Sequence, residues 1–404
     1  MRILLLNWKD PSEREAGGAE QYVQMISERW SAQGHAVAMF VPRVDDLPAR
    51  ERIGGVDYIR AGSRTTVFFH ARRFVRRNQA TWDLVIESIS TRPFHCHRLL
   101  SRDRAAALYH QVADEVWHRE FRFPFSHLGR HVVEPWWIRR MAGARVVAVS
   151  PSTALTLRQR GIDVAAIAPP GCALPERYEP RSLPDEVRLV FLGRLSRTKC
   201  PDAAVDAFRL VRKRLPRAHL DVIGDGYLRK ELEALRVPGV VFHGRVSEAR
   251  KWELLNTATL LLLPGTREGW GIVAMEAAAA GLPVAAYDIA GFRDAVDDGH
   301  TGVLTPPTAT GLADAALGLL NAPERWRAMS AQARKRAEEH SWPACGDRLM
   351  DCLTTPQETS AEVLPAGPLT SAKADDHPAP PYNPRDDQHR RREGSAGPGP
   401  APRG

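Results

Sequence analysis

The chain has 404 residues, 43% hydrophobic and 26% charged, the profile of a globular protein with material for two or three domains. That excludes disorder throughout and a small disulfide-stapled scaffold. Lys plus Arg number 56 against 48 Asp plus Glu, so a net charge of +8 permits an anionic partner without demanding nucleic acid.

The chain opens on Met1-Arg2-Ile3-Leu4-Leu5-Leu6-Asn7, an apolar run too short for a signal peptide and read as a buried strand over 2–7. Further short apolar runs predict strands over 36–42, 56–61, 83–88, 106–110 and 145–150, with a helix over 19–33 ended by Gly34. Residues 169–184 hold Pro169, Pro170, Gly171, Pro175, Pro180 and Pro184, a linker composition. Strands then fit 187–192, 219–223, 240–243, 260–263, 283–287 and 302–304. Helices fit 201–215, 227–236, 247–258, 271–280 and 311–320 between them. Strands alternating with helices imply parallel, doubly wound sheets. The expected architecture is α/β: two Rossmann-like domains, 1–170 and 185–340, joined by 171–184 and facing each other across a cleft.

From Thr354 to Gly404 there are ten Pro, five Gly and a single aromatic, Tyr382. Such a segment buries too little apolar surface to offset its ordering entropy, so 354–404 is expected to be disordered. The longest apolar runs, near 260–264 and 272–280, fall short of the roughly 18–20 residues of a membrane span. A cytoplasmic protein, or one peripheral to the inner face of a membrane, is expected. The five cysteines form no CxxC pair and read as reduced thiols. His95-Cys96-His97 lacks the further ligands a metal site needs, so no metal is expected.

Four stretches carry chemistry. Gly17-Gly18-Ala19-Glu20 follows the first strand and opens a helix, where two glycines let backbone approach a phosphate. A plain loop-to-helix turn uses the same residues. Gly193-Arg194-Leu195-Ser196-Arg197-Thr198-Lys199 follows the first strand of the second half, and two cations at a strand's carboxyl end suit a diphosphate. The backbone at Arg245-Val246 is placed to meet a nucleobase edge, and Gly224-Asp225-Gly226 reads as a tight turn. The most informative stretch is Glu268-Gly269-Trp270-Gly271-Ile272-Val273-Ala274-Met275-Glu276. It places unpaired backbone N–H groups of Trp270 to Val273 at a helix start, between two carboxylates. Both could be solvated. But Glu276 lies between Met275 and four alanines that must pack on a sheet, where a carboxylate is costly without a partner.

Two carboxylates with seven residues between them, after a Gly-Arg…Lys loop in the second of two Rossmann-like domains, resemble glycosyltransferase family 4. The resemblance covers residues 1–353. It extends to Gly17-Gly18-Ala19-Glu20, Val149-Ser150-Pro151-Ser152, Pro169-Pro170-Gly171 and Asp298-Gly299-His300-Thr301-Gly302. Ser341-Trp342 is similar to the point where the family's last helix crosses back to the first domain, so 341–353 is expected to do so. The resemblance implies a GT-B fold and a retaining, nucleotide-sugar-dependent enzyme that moves a hexose-type sugar to a hydroxyl acceptor.

The resemblance also implies roles. Arg194 and Lys199, in the loop that starts at Gly193, neutralise the diphosphate. Glu276 holds the ribose hydroxyls. Glu268 and the backbone of Gly269, Trp270, Gly271, Ile272 and Val273 hold the sugar and phosphates. Gly17 and Gly18 approach from the first domain, Val246 reads the base, and His110 lies beside the reacting sugar. The chain departs from the family at Ala290-Gly291-Phe292-Arg293-Asp294, and Asp294 receives no role. No Asp-x-Asp occurs anywhere, so fixed cations rather than a bound metal are expected to carry the leaving group's charge. A nucleotide-sugar epimerase and a non-catalytic nucleotide-sugar-binding subunit are the alternatives.

The expected hydroxyl acceptor is a glycan, a lipid-linked or a small molecule, and the charge of the first domain suits a phosphorylated or lipid-linked one. No acidic residue lies between Asp57 and Asp83, but Arg60, Arg64, Arg72, Arg73, Arg76 and Arg77 interleave with Phe68, Phe69 and Phe74. A second cluster holds Arg119, Phe121, Arg122, Phe123, Phe125 and Arg130, then Trp136, Trp137, Arg139 and Arg140. Such mixtures suit an anionic membrane surface. They also suit buried aromatics with solvated arginines. Nucleic acid is not expected, because no binding motif accompanies the charge.

Overall fold

A computed structural model describes residues 1–13, 16–112, 125–176 and 178–355. The first eight strands are β1 (Arg2–Leu6), β2 (Ala36–Val41), β3 (Arg50–Ile53), β4 (Val56–Arg60), β5 (Leu84–Ile89), β6 (Ala105–Tyr109), β7 (Arg145–Ala148) and β8 (Val164–Ile167). They form one sheet in the order β3-β4-β2-β1-β5-β6-β7-β8. β1 and β6 are largely apolar without alternation, β5 adds the buried Glu87 and Ser88, and the sheet buries all three on both faces. All pairings are parallel except β3–β4. That hairpin closes at Gly54-Gly55, whose φ values of 55° and 81° are those a two-residue turn requires.

The second sheet holds β9 (Arg188–Leu192), β10 (His219–Ile223), β11 (Val240–Gly244), β12 (Leu260–Leu263), β13 (Val284–Tyr287) and β14 (Gly302–Thr305). Its order is β11-β10-β9-β12-β13-β14, parallel throughout. Both sheets reverse their winding direction beside their first strand, at β1/β5 and at β9/β12. Ligands of open α/β sheets bind in the crevice at such a switch point.

The helices are α1 (Gly18–Ala32), α2 (Val67–Arg77), α3 (Glu134–Arg139), α4 (Pro151–Gln159), α5 (Pro201–Arg214), α6 (Arg229–Ala234), α7 (Glu248–Thr257), α8 (Ile272–Ala279), α9 (Ala290–Ala295), α10 (Ala309–Leu320), α11 (Pro323–Glu339) and α12 (Trp342–Thr354). Separate cores lie beneath them. Phe191, Phe208, Leu262 and Trp326 anchor one face of the second sheet, and Met275, Leu261 and the alanines of α8 fill the other.

α12 returns to the first domain. Trp342, Cys345, Leu349 and Leu353 join Tyr22 and Trp30 of α1 in the core over β1. The Trp30 indole donates to the Gly346 carbonyl at 2.9 Å, and Arg29 pairs with Asp347 at 2.9 Å. At the crossing, the Cys172 N–H donates to the His340 carbonyl at 2.8 Å, and a Cβ on Gly171 would stand 2.6 Å from the Trp342 backbone.

Two expectations need correction, the start of the tail and the place of Arg60. The tail does not begin at Thr354: α12 includes that residue, because the Arg145 guanidinium takes the carbonyls of Cys352, Leu353 and Thr355 at 2.6–2.7 Å. Residues from 356 on lie outside the described residues. The Pro-rich stretch after Gly171 is tied to the second domain. Tyr178 lies under the Arg334 guanidinium at 4.5 Å, and Arg181 donates to the Ala258 carbonyl. Finally, Arg60 is not on a basic surface. It is buried and paired with Asp10 at 2.6 Å and Glu51 at 2.8 Å.

All five cysteines are free thiols. Among the described residues no helix is long and apolar enough to cross a membrane.

Candidate active site

The loops that follow β1 and β9, the two switch-point strands, meet across the cleft. A Cβ on Gly17 would stand 3.7 Å from Nη2 of Arg194, and one on Gly18 would stand 2.9 Å from Cδ1 of Ile272. Gly17 donates its N–H to the Glu20 carboxylate at 2.8 Å, which leads the chain into α1. The backbone thus passes close to the second domain where a side chain would block it.

On the second domain, the loop after β9 is held by its neighbours' lack of side chains. A Cβ on Gly224 would fall 2.0 Å from the Gly193 carbonyl oxygen, and one on Gly226 would fall 2.3 Å from that of Leu195. Arg194 is exposed at the start of this loop, and Lys199 near its end is half-buried. Lys199 pairs with Glu268 from the loop after β12. Phe191, Gly193, Lys199, Glu268, Val273 and Phe292 line one small depression at the β9/β12 switch point.

Gly271 caps α8 at a φ of 100°, where a Cβ would also press on Phe292 and Ala295 at 3.2–3.3 Å. The turn puts Ile272 and Val273 at the first positions of α8, whose N–H groups lack intrahelical acceptors. An anion is favoured there. Trp270 is buried against Ala274 and the His340 ring, which fixes the loop.

Glu276 is buried in α8, and its partner is Lys251. Nζ lies 2.7 Å from Oε1, and both side chains are less than a tenth exposed. Burial raises the Glu276 carboxyl above its ordinary value, against the pull of Lys251. Burial also opposes the charge on Lys251, but Glu276 and Glu248 hold the ammonium above its usual range. The Gln21 side chain, from α1 of the first domain, also hydrogen-bonds Glu276.

His110 ends β6 of the first domain, buried, with Nε2 at 2.9 Å from Ser88 Oγ and its ring edge-on to Tyr22 at 5.5 Å. Burial pushes the imidazole down to about 3, so it is neutral at physiological pH. A Cβ on Gly269 would stand 2.2 Å from the His110 carbonyl oxygen. The Glu268 loop therefore packs directly on the end of β6. Arg267 adds a hydrogen bond to the Val112 carbonyl.

The structure thus brings Gly17, Gly18, Gly193, Arg194, Lys199, Glu268, Gly269, Trp270, Gly271, Ile272, Val273, Glu276 and His110 to one region of the cleft. Val246 stands beyond β11, half-buried beside the N-cap Ser247 of α7, the helix that carries Lys251. Lys199 and Glu268, expected to act on different parts of a ligand, are paired with each other.

Sequence reasoning missed two residues. Lys251 occupies the position of α7 that continues the buried stripe of Leu254, Leu255 and Ala258, and a cation on such a stripe is a signal for a buried partner. Asp294, given no role, joins the two domains. Its carboxylate accepts from the Ser152 N–H at 3.1 Å and from the Ser152 hydroxyl, at the first turn of α4. Gly291 beside it leaves room for the Glu268 carbonyl, 2.1 Å from where a Cβ would be.

Two family models match the chain. "Glycosyltransferase Family 4" covers residues 16–171, and "Glycosyl transferases group 1" covers 176–336. A D-inositol 3-phosphate glycosyltransferase of Rhodococcus erythropolis is 33% identical over 42% of this chain and 41% of its own length. The chain spans about half the length of such relatives, 41–54% in three of them. A glycogen synthase of Mycobacterium tuberculosis is 28% identical over 83% of this chain and 90% of its own. Among solved structures, sucrose-phosphate synthase of Thermosynechococcus elongatus superposes with a TM-score of 0.70 at 21% identity, covering 87% of this chain and 97% of that one. Anabaena HepE, solved with UDP-glucose, gives 0.66 at 16% identity over 88% and 99%.

Proposed function

Since the chain belongs to glycosyltransferase family 4 and has the GT-B fold, we propose that it moves a hexose-type sugar from a nucleoside-diphosphate sugar to a hydroxyl acceptor, with retention at the anomeric carbon. One observation carries this reading. Arg194, Lys199, Glu268 and Glu276 converge on the switch point of the second sheet, opposite Gly17, Gly18 and His110 of the first. HepE, with the same fold, binds UDP-glucose.

In this reading the diphosphate lies between Arg194, Lys199 and the N-terminus of α8, with the glycine backbones of both domains against it. Glu276 accepts hydrogen bonds from the ribose hydroxyls, and the Val246 backbone meets the base edge. Glu268 and the carbonyl end of β6 at His110 hold the sugar. The bond from the anomeric carbon to the phosphate oxygen breaks, and the acceptor oxygen bonds on the face the diphosphate vacates. The acceptor's proton passes to the leaving phosphate. Arg194 and Lys199 stabilise the charge that develops there, so transfer proceeds without a divalent cation. The test is product analysis by NMR after incubation with UDP-, GDP- and ADP-sugars, with and without EDTA. An α-linked product from an α-linked donor, formed equally in EDTA, is expected. An inverted product, or activity restored only by magnesium, overturns the respective part.

The acceptor side of the first domain supports an anionic or lipid-linked acceptor for a cytoplasmic enzyme that works at the inner face of a membrane. α2 buries Val67, Phe68, Ala71 and Val75, and presents Phe69, Arg73, Arg76 and Arg77 to solvent. Arg92 stands over the rings of Phe68 at 4.3 Å and Trp137 at 5.8 Å, linking α2 to α3, where Trp136 is exposed beneath Arg140. Each such cation is worth about 1 kcal/mol near anionic lipid. Arg119, Phe121, Arg122 and Phe123 of the expected second cluster lie outside the described residues. Arg73→Glu with Arg77→Glu is expected to abolish sedimentation with anionic vesicles at low salt. Wild-type protein that leaves such vesicles unbound points to a small soluble acceptor instead.

A further inference from the structure

The glycosyl-transfer site explains Glu276 but not Lys251. A buried ammonium needs a reason, because an apolar side chain of similar length would pack at the same place without the desolvation cost. Lys251 begins the inner stripe of α7, ahead of Leu254 and Leu255. Its two hydrogen-bond partners are both carboxylates. Glu248, on the same helix at 2.9 Å, has a side chain 70% exposed. Glu276, from α8 at 2.7 Å, is as buried as Lys251 itself. An exposed partner one turn away does not account for burying the cation. The partner that does is Glu276.

Chemistry says what the pair accomplishes. The two hydroxyls of a ribose diol donate best to an ionised carboxylate, which accepts at both oxygens. A protonated carboxyl turns one oxygen into a donor and loses one of those bonds. Burial favours the protonated form. Lys251 opposes it and, through Oε1, fixes the rotation of the carboxylate, leaving the other lone pairs for a ligand.

We infer that Lys251 is a positioning residue for nucleotide recognition, which keeps Glu276 ionised and aimed at the ribose. This rests on the reading of Glu276 as the ribose-binding carboxylate. The other groups around Glu276 do not do this work. Gln21 of α1 is neutral. Glu248 pushes the carboxyl further up. Cys172, at the crossing between the domains, is a thiol held up at about 12. Arg334 of α11, the helix packed on α8, turns its guanidinium to the Ala279 carbonyl at 2.7 Å.

The test measures binding of UDP, GDP and ADP by calorimetry, so it does not depend on knowing the sugar or acceptor. The tightest of the three is then titrated into wild type, Lys251→Met, Lys251→Arg and Glu276→Gln, and compared with its 2′-deoxy and 3′-deoxy forms. Melting curves establish that each variant is folded. Lys251→Met is expected to bind roughly tenfold or more weakly at about pH 6.5. The ratio of its dissociation constant to that of wild type should fall as pH rises towards about 8.5, because Glu276 then ionises unaided. The phosphate's own titration cancels in that ratio. Lys251→Met should also lose the penalty for a missing ribose hydroxyl, and Lys251→Arg should restore it. A constant ratio at every pH, with the deoxy penalty intact, overturns the inference and leaves Lys251 a packing residue. Wild-type affinity in Glu276→Gln sinks the ribose assignment itself, a failure visible without any Lys251 variant.

Discussion

The second domain builds its wall of the cleft from close-packed loop backbone, and the first carries a face of arginines and aromatics on α2 and α3. Gly224, Gly226, Gly269 and Gly291 stack loop on loop, with carbonyl oxygens where β-carbons would otherwise be, and Gly271 packs on Phe292 and Ala295. Among that backbone lie the carboxylates of Glu268 and Glu276 and the cations of Arg194, Lys199 and Lys251. Opposite them the first domain offers the backbone of Gly17 and Gly18 and the end of β6 at His110, and elsewhere it carries arginines and aromatics on α2 and α3. A surface of close-packed backbone suits the constant part of a ligand, a diphosphate and its ribose. A surface of long side chains can be altered residue by residue without disturbing the sheet beneath, which suits a variable acceptor.

The contrast predicts where damage is greatest. Gly269→Ala drives a methyl into the His110 carbonyl and Gly291→Ala drives one into that of Glu268. Neither neighbour is a flexible side chain, so each should cost about 1–3 kcal/mol of stability. Transfer should be lost altogether while a folded protein remains, as read by denaturant titration beside an activity assay. Full activity in both variants would break the picture of a backbone-built donor wall.

Arg194→Ala comes next. Removing a charged donor to the leaving group should cost about 3 kcal/mol in kcat/KM with an unchanged melting temperature. The two carboxylates should then separate. Glu276→Gln is expected to weaken nucleotide binding by about 1.5–3 kcal/mol. Glu268→Gln should lower kcat with donor affinity little altered if Glu268 holds the sugar as proposed. Equal effects on kcat and KM from both variants would merge the two roles.

The smallest effect is a pH dependence on the first domain's side. His110 is neutral in the folded protein down to about pH 3 but takes a proton near pH 6.5 once unfolded. The unfolded state therefore binds more protons in that window, and the stability His110 confers is present above it and declines as pH falls through it. Urea titrations should show the advantage of wild type over His110→Asn narrowing from about pH 7 to about pH 5. A constant difference would mean that the imidazole takes its proton in the fold as readily as in the unfolded chain.

Much of this was legible in the chain because the signals are local. Largely apolar runs without alternation placed β1, β5, β6 and all six strands of the second sheet within a residue or two. The glycine-flanked motifs marked the strand ends, and the position of Glu276 among alanines demanded a partner. What escaped was non-local or lacked a period. β3 is a four-residue polar edge strand that exists only because β4 is there to pair with it. α2 is absent from the elements expected from the sequence, although Val67, Ala71 and Val75 recur at helical spacing beneath its arginines. Arg60 belongs to the same basic stretch and is buried, because Asp10 reaches it from the loop after β1. Asp294 and Ser152 are 142 residues apart, and no pattern along the chain links them. Lys251 carried a signal on its stripe, but its partner lies on another helix.

The account stands on a nucleoside diphosphate seated at the β9/β12 switch point. The direct measurement is calorimetric titration of UDP, GDP and ADP into wild type and into a variant carrying both Arg194→Ala and Glu276→Gln. The expected result is saturable binding of at least one nucleotide to wild type, with affinity lost by roughly a hundredfold or more in a double variant that melts as a folded protein. Equal binding to both proteins, or none to wild type, would contradict the account.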